Sequence, residues 1–226
     1  MFRVADLCCG VGISGDGYVG AGMSVTGFDN DPGCGKYYPG EFRCLDILTL
    51  TADDLKDYDL VHLGAPCQRW SAMCACRPGL RDKYPDLITP MRPVLDELAE
   101  LHGVPYVIEN VERCDVLRPE RTIMLCGTMW GKQELYRHRR IETGGGLRVP
   151  PLHHPKHLLP ASKAGHWVPG TAMSIAGHVG NIAKARELMG VTRRMPRERL
   201  VEAAPACYLA YVAEHARAFL SALRAA

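Results

Sequence analysis

The 226-residue chain predicts an α/β fold, a mostly parallel sheet with helices on both faces and a small irregular insert. Three observations carry this. Short apolar runs alternate with helix-compatible segments through the first 126 residues. Several of those runs end in glycine, acid or cysteine clusters, as chains do at the crevice beyond parallel strands. After residue 143 the pattern changes: Gly144-Gly145-Gly146, Pro150-Pro151 and further Pro, Gly and His residues replace it.

In chain order, strands are expected at residues 3–7, 24–28, 58–63, 105–108 and 122–125, with another presumed just before Asp46. The clearest helix spans 88–101, where Ile88, Met91, Leu95, Leu98 and Leu101 recur at helical spacing. Helical character returns at 181–189 with Asn181 as cap, and a final amphipathic helix is expected over 205–223, opened by Pro205. These elements divide the chain into a body over residues 1–142, the insert over 143–180 and closing helices over 181–226.

Lys plus Arg number 27 and Asp plus Glu 25, so a formal charge of +2 neither demands nor excludes a polyanionic partner. Arg137, Arg139 and Arg140 cluster, as do Arg193, Arg194, Arg197 and Arg199. Each cluster suits phosphates, or is simply a solvated basic face. No run approaches the roughly 18 apolar residues of a membrane span. The opening Met1-Phe2-Arg3-Val4-Ala5-Asp6-Leu7 lacks the layout of a signal peptide. A cytoplasmic protein is expected, its ten cysteines reduced and mostly buried. Cys74-Ala75-Cys76 and His153, His154, His157 match no common zinc spacing, so no metal is expected.

Chemistry gathers at the strand ends. The first strand runs into Asp6-Leu7-Cys8-Cys9-Gly10-Val11-Gly12-Ile13-Ser14-Gly15, a glycine turn that lets a nucleotide-like ligand approach the backbone. The second ends in Asp29-Asn30-Asp31, where an acid can accept from ribose hydroxyls. Together they indicate an adenosine-like cofactor, against the plain alternative of loop-forming residues. Asp46-Ile47 follows the presumed third strand and reads either as a contact to an adenine edge or as a turn cap. Then come Gly64-Ala65-Pro66-Cys67-Gln68-Arg69-Trp70-Ser71 and, after the next strand, Glu109-Asn110. A thiol and an acid converging beyond adjacent strands suit nucleophilic addition with protonation of the opposite side of the target.

With these motifs in this order, the chain resembles the cytosine-5 DNA methyltransferase family. The resemblance rests on DLCCGVGISG, FDND, DI, APCQRWS, IENV and a later RHRRIE, covering residues 3–142 and returning more loosely at 183–190. It implies a Rossmann-like domain binding S-adenosyl-L-methionine over residues 1–142, a short target-recognition region over 143–180, and helices over 181–226 that pack back on the catalytic domain. Asp6, Cys8, Gly10, Gly12 and Ser14 would surround the methionine portion. Asp29 would hold the ribose, Asn30 would lie beside the adenine, Asp46 and Ile47 would meet its edge, and Gly64 and Pro66 would complete the site. Cys67 would be the nucleophile, with Gln68 beside it. Glu109 would be the acid on the base, and Asn110 would order the cysteine loop. Arg140, and Arg69 less directly, would supply positive charge near the thiol. Residues 71–85 would form a loop closing over a flipped base.

The chain departs from the family in three respects. The usual Gln-x-Arg-x-Arg is matched at Tyr136, His138 and Arg140, so only its last residue is retained. The usual Gly-Asn near the last helix is replaced by Ala203-Ala204-Pro205. The insert is also short. Arg69, Ser71, His138, Lys156, Lys163, His166 and Trp167 are the candidate nucleic-acid contacts, enough for a few base pairs. The expected function is therefore DNA cytosine-5 methylation through a covalent Cys67 adduct, by a monomer acting on double-stranded DNA. The setting would be the cytoplasm of a bacterium or a phage-infected host, as in restriction-modification or phage DNA modification. The alternatives are RNA or free cytidine nucleotides as substrate, or a catalytically silent nucleic-acid-binding module.

Overall fold

The computed structural model describes the chain apart from residues 76–78, 164–165, 176, 178 and 226. Seven strands form one sheet: β1 (Arg3–Leu7), β2 (Ser24–Asp29), β3 (Glu41–Cys44), β4 (Leu60–Leu63), β5 (Tyr106–Val111), β6 (Thr122–Leu125) and β7 (Arg139–Gly144). The order is β3-β2-β1-β4-β5-β7-β6, with the first five parallel and β7 antiparallel to both β5 and β6. The chain reverses direction across the sheet between β1 and β4, and at such a switch point the strand ends splay into a crevice.

The helices are α1 (Ile13–Gly20), α2 (Ala52–Leu55), α3 (Ala72–Ala75), α4 (Ile88–His102), α5 (Ile182–Met189), α6 (Arg197–Glu202) and α7 (Ala206–Ala225). One face of the sheet is covered by α4 through the buried Ile88, Met91, Leu95 and Leu98, together with α2 and Trp70. The other face is covered by α7 through Tyr208, Leu209, Val212, Ala213, Ala216 and Leu220, with Tyr18 of α1. Gly17 lies where α1 meets α7: a Cβ there would sit 2.7 Å from Leu209 Cβ, so a larger residue would push the two helices apart. A third apolar cluster seats Met173, Ile175, α5 and Leu200 against Val11 and Ile13 of the glycine turn.

Asn181 caps α5 by accepting from Lys184 N at 3.0 Å, as its sequence position predicts. Asp86 opens α4 by accepting from the Ile88 and Thr89 amides, each at 3.0 Å. The strand β7 is absent from the sequence expectation. Its arginine-rich start conceals the run Ile141-Glu142-Thr143-Gly144, which is fully inside. There the buried Glu142 carboxylate is held by the Arg92 guanidinium of α4 at 2.6 and 3.0 Å.

Candidate active site

At the exit of β1 the backbone turns sharply. Cys8 takes a left-handed conformation at φ 54°, and Gly12 follows at φ 83°. A side chain at Gly12 would also collide with Pro39 and Tyr38, so this position needs glycine for both reasons. Beneath the turn lies Asp6, fully buried, whose Oδ2 accepts from Ser14 Oγ at 2.6 Å and from Tyr38 OH at 3.0 Å. Its Oδ1 has no partner, and burial raises the Asp6 pKa to about 7. At the end of β2, Asp29 accepts from Gly10 N and Asp31 N, each at 2.9 Å, which fixes its carboxylate at the lip of the turn.

Cys67 follows β4 and starts a short turn, its carbonyl accepting from Trp70 N at 3.1 Å. Asn110, fully buried on β5, donates from Nδ2 to Ala65 O at 3.0 Å and accepts from Val111 N at 2.9 Å. It therefore braces the loop two residues before the thiol. Its neighbour Glu109 faces the opposite side of the strand. The Glu109 carboxylate lies 2.7 Å from Arg139 Nε as an ion pair without aligned hydrogen-bond geometry, so its Oε1 remains without a donor. Burial raises the Glu109 pKa, while Arg139 and Arg137 pull it back. Arg137 is buried and donates to the carbonyls of Ile175, Val201 and Ala203. Desolvation lowers its pKa while Cys67 and Glu109 raise it, and a guanidinium starts high enough to stay charged.

These groups line one cavity of about 390 Å³ at the switch point. Cys8, Gly10, Gly12, Ser14, Asp29 and Asn30 form one side, and Gly64, Pro66, Cys67, Gln68, Glu109 and Arg139 the other. The volume lies in the range of small-molecule and cofactor sites. Gln68 Oε1 and Glu109 Oε1 are buried on its lining without a hydrogen-bond donor, although Glu109 Oε1 keeps the Arg139 ion pair, so each has acceptor capacity left for a ligand. The helix α6 also contributes to the cavity lining, where Arg199 pairs with Asp31 and Glu202 Oε1 accepts from Gln68 Nε2 at 3.3 Å. Burial pushes the Cys8 and Cys9 thiols well up, which keeps the two other lining sulfurs protonated.

Several expected residues stand elsewhere. Arg140 is not in the cavity: it pairs in register with Asn110 and donates to Cys114 O at 2.7 Å, while Arg139 takes the place beside Glu109. Strand pleating puts Arg137 and Arg139 on one face and His138 and Arg140 on the other, so the arginine motif is shifted by one residue. Arg69 ties the carbonyls of Arg81 and Tyr84, each at 3.1 Å, and does not line the cavity. Asp46 lies outside the cavity, capping a turn by accepting from Leu48 N at 3.0 Å, and Ile47 is buried in the core. Asp6 supports the glycine turn from below without lining the cavity.

Ser71 accepts from Cys74 N and so caps α3; within the expected closing loop, Cys76, Arg77 and Pro78 lie outside the described residues. Trp167 donates to Thr171 O and packs on the third apolar cluster, while Lys156, Lys163 and His166 are exposed. His138 stands with other histidines away from the cavity lining. Of the arginine clusters, Arg137 and Arg139 are buried, Arg193 pairs with Asp16 at 2.9 Å and Arg199 with Asp31, while Arg194 stays exposed. Tyr38, Arg139, Arg199 and Glu202 were not expected at the site. Only the two-residue period of β7 could have pointed to Arg139.

Residues 2–116 match the family model for the C-5 cytosine-specific DNA methylase. No curated protein matches the chain by sequence. The Dnmt2 methyltransferase of S. pombe superposes with a TM-score of 0.58 at 15% identity, over 99% of this chain and 99% of that one. The Entamoeba histolytica methyltransferase EhMeth gives 0.57 at 12% identity, over 97% and 99%. At such identities these likenesses show the same fold. Among the described residues, no helix is long and apolar enough to cross a membrane.

Proposed function

The chain belongs to the C-5 cytosine-specific DNA methylase family, and from that premise we propose that it methylates carbon 5 of cytosine in double-stranded DNA, at a short recognition sequence, with Cys67 as nucleophile. One observation carries this: Cys67, Glu109 and Arg139 line the same cavity as the glycine turn and Asp29.

As a methylase of this family the chain uses S-adenosylmethionine, which when bound supplies a methyl group on a positively charged sulfur. Asp29, held by Gly10 and Asp31, is the acceptor for ribose hydroxyls, and the turn from Cys8 to Ser14 leaves room for the rest. In a duplex the target base must leave the stack at a cost of a few kcal/mol. Cys67 Sγ, as thiolate, then bonds to carbon 6, and the ring electrons displaced by that bond make carbon 5 nucleophilic. Glu109, whose protonated form burial favours, donates to ring nitrogen 3 as charge arrives there. Once carbon 5 is methylated, its hydrogen leaves as a proton to a base. The electron pair re-forms the ring double bond, and the sulfur–carbon 6 bond breaks to return the thiolate.

A second reading has one observation in its favour. With Arg137, Arg139, Arg140, Arg193 and Arg199 bonded inside the chain, little of either arginine cluster is left for duplex phosphates. This favours a substrate that needs fewer phosphate contacts than a duplex, a cytidine nucleotide or a single-stranded stretch of RNA. The test is incubation with S-adenosylmethionine carrying a labelled methyl group and, separately, duplex DNA, RNA and cytidine nucleotides, followed by digestion and mass identification. 5-Methylcytosine in DNA supports the first reading. Label only in RNA or nucleotides transfers support to the second, and label in none of the pools overturns both.

A further inference from the structure

Away from the cavity, four side chains from three separate segments meet at one point. Cys126 follows β6, His138 immediately precedes β7, and His154 and His157 come from the insert. Their ligand atoms all lie within 4.8 Å of one another. His138 Nε2 is 3.2 Å from His154 Nε2 and 3.1 Å from His157 Nε2, and Cys126 Sγ is 3.4 Å from His157 Nε2. We propose that Cys126, His138, His154 and His157 bind a structural zinc ion that fastens the insert to the strand carrying Arg139.

Zinc–nitrogen bonds of about 2.0–2.1 Å and a zinc–sulfur bond of about 2.3 Å, arranged tetrahedrally, put nitrogens about 3.3 Å apart and sulfur about 3.6 Å from nitrogen. The observed separations lie near those values. A hydrogen-bond account of the cluster is poor, because a ring nitrogen carries at most one hydrogen and His138 Nε2 faces two other ring nitrogens at once. A cation at the centre uses all the lone pairs together. Glu112 Oε2 lies 3.1 Å from His138 Nδ1, the place of the carboxylate that orients a metal-bound histidine and fixes its tautomer. Three imidazoles and one thiolate suit zinc and fill all four positions, so the ion is structural, with no site left open for water or substrate.

The four positions also explain why spacing gave no warning. The His154-x-x-His157 pair is separated from Cys126 and His138 by many residues, and neither Cys74 nor His153 takes part. Its ligands come together only when β6, β7 and the insert are packed, so the ion binds the folded chain and its binding free energy adds to the stability of the fold.

The chain is purified without chelators or a histidine tag, and its metal content is read by mass spectrometry. About one zinc per chain is expected. Cobalt(II) substitution should give the visible bands of a tetrahedral site with a near-ultraviolet thiolate charge-transfer band. His154 is exposed, so H154A should fold while binding zinc at least 100-fold more weakly; C126S should lose the charge-transfer band; H153A should keep full content. E112Q should weaken zinc about tenfold. Chelation should lower Tm in the parent chain and leave H154A unmoved. Less than a tenth of an equivalent with no cobalt spectrum, or metal content unchanged in H154A, overturns the proposal.

Discussion

Arg139 Nε lies 2.7 Å from Glu109 Oε1 across the antiparallel pair of β5 and β7, one pleat along from its register partner Val111. The pair sets which arginine acts on the acid. Arg139→Ala should lower kcat about 10²–10³-fold, as loss of one preorganised charge contact does, while Arg140→Ala should cost less than about tenfold. Turnover of the accepted substrate, with circular dichroism as a folding control, checks this. Equal losses in both variants would remove Arg139 from the role.

Cys67→Ser should abolish methyl transfer and leave the affinity for S-adenosylhomocysteine within about threefold of the parent, because the change is small and local. A substrate with fluorine at carbon 5 should trap the parent chain as a covalent adduct that survives denaturation, since no proton can leave that carbon. Peptide mapping should find the adduct on Cys67. An adduct on Cys8 or Cys9 would contradict the burial that holds those thiols protonated.

Asp29→Ala should weaken S-adenosylhomocysteine binding at least tenfold, about 1.4 kcal/mol, by calorimetry. Asp46→Ala should change it by less than about threefold, because Asp46 caps a turn outside the cavity. The reverse ranking would place the adenosine against the third strand.

Two buried groups should make stability depend on pH in opposite senses. Burial raises Asp6 to about 7, so its contribution is complete below the usual carboxylate range and is lost as pH rises towards 7. Burial lowers His62 to about 4, so its contribution is complete above about 6.5 and is lost as pH falls towards 4. Each is worth about 3 kcal/mol across pH 4–6.5, and the two largely cancel in the parent chain. Asp6→Asn should therefore make Tm rise with pH over that window, and His62→Asn should make it fall. Parallel curves for both variants would show that neither group titrates with folding.

The sheet was legible because its strand ends carry their chemistry in order: the glycine turn after β1, Asp29 at the end of β2, Cys67 after β4 and Glu109 on β5. β7 was not. Four consecutive basic or imidazole side chains obscure its alternation, and a one-residue slip in a strand exchanges every inward side chain for an outward one. That slip is the whole difference between Arg140 and Arg139. The Cys/His cluster was illegible for another reason, since its members meet only once β6, β7 and the insert are packed. Nor could sequence say that Arg193 and Arg199 spend their charge on Asp16 and Asp31 rather than on a partner.

The helix α6 is six residues long, yet it touches both halves of the cavity. Arg199 reaches Asp31, close in sequence to the Asp29 of the glycine-turn side, and Glu202, three residues on, reaches Gln68, beside Cys67. Both ends of the cavity lining are therefore tied to one helical turn, and a displacement of α6 that breaks one of these contacts bears directly on the other.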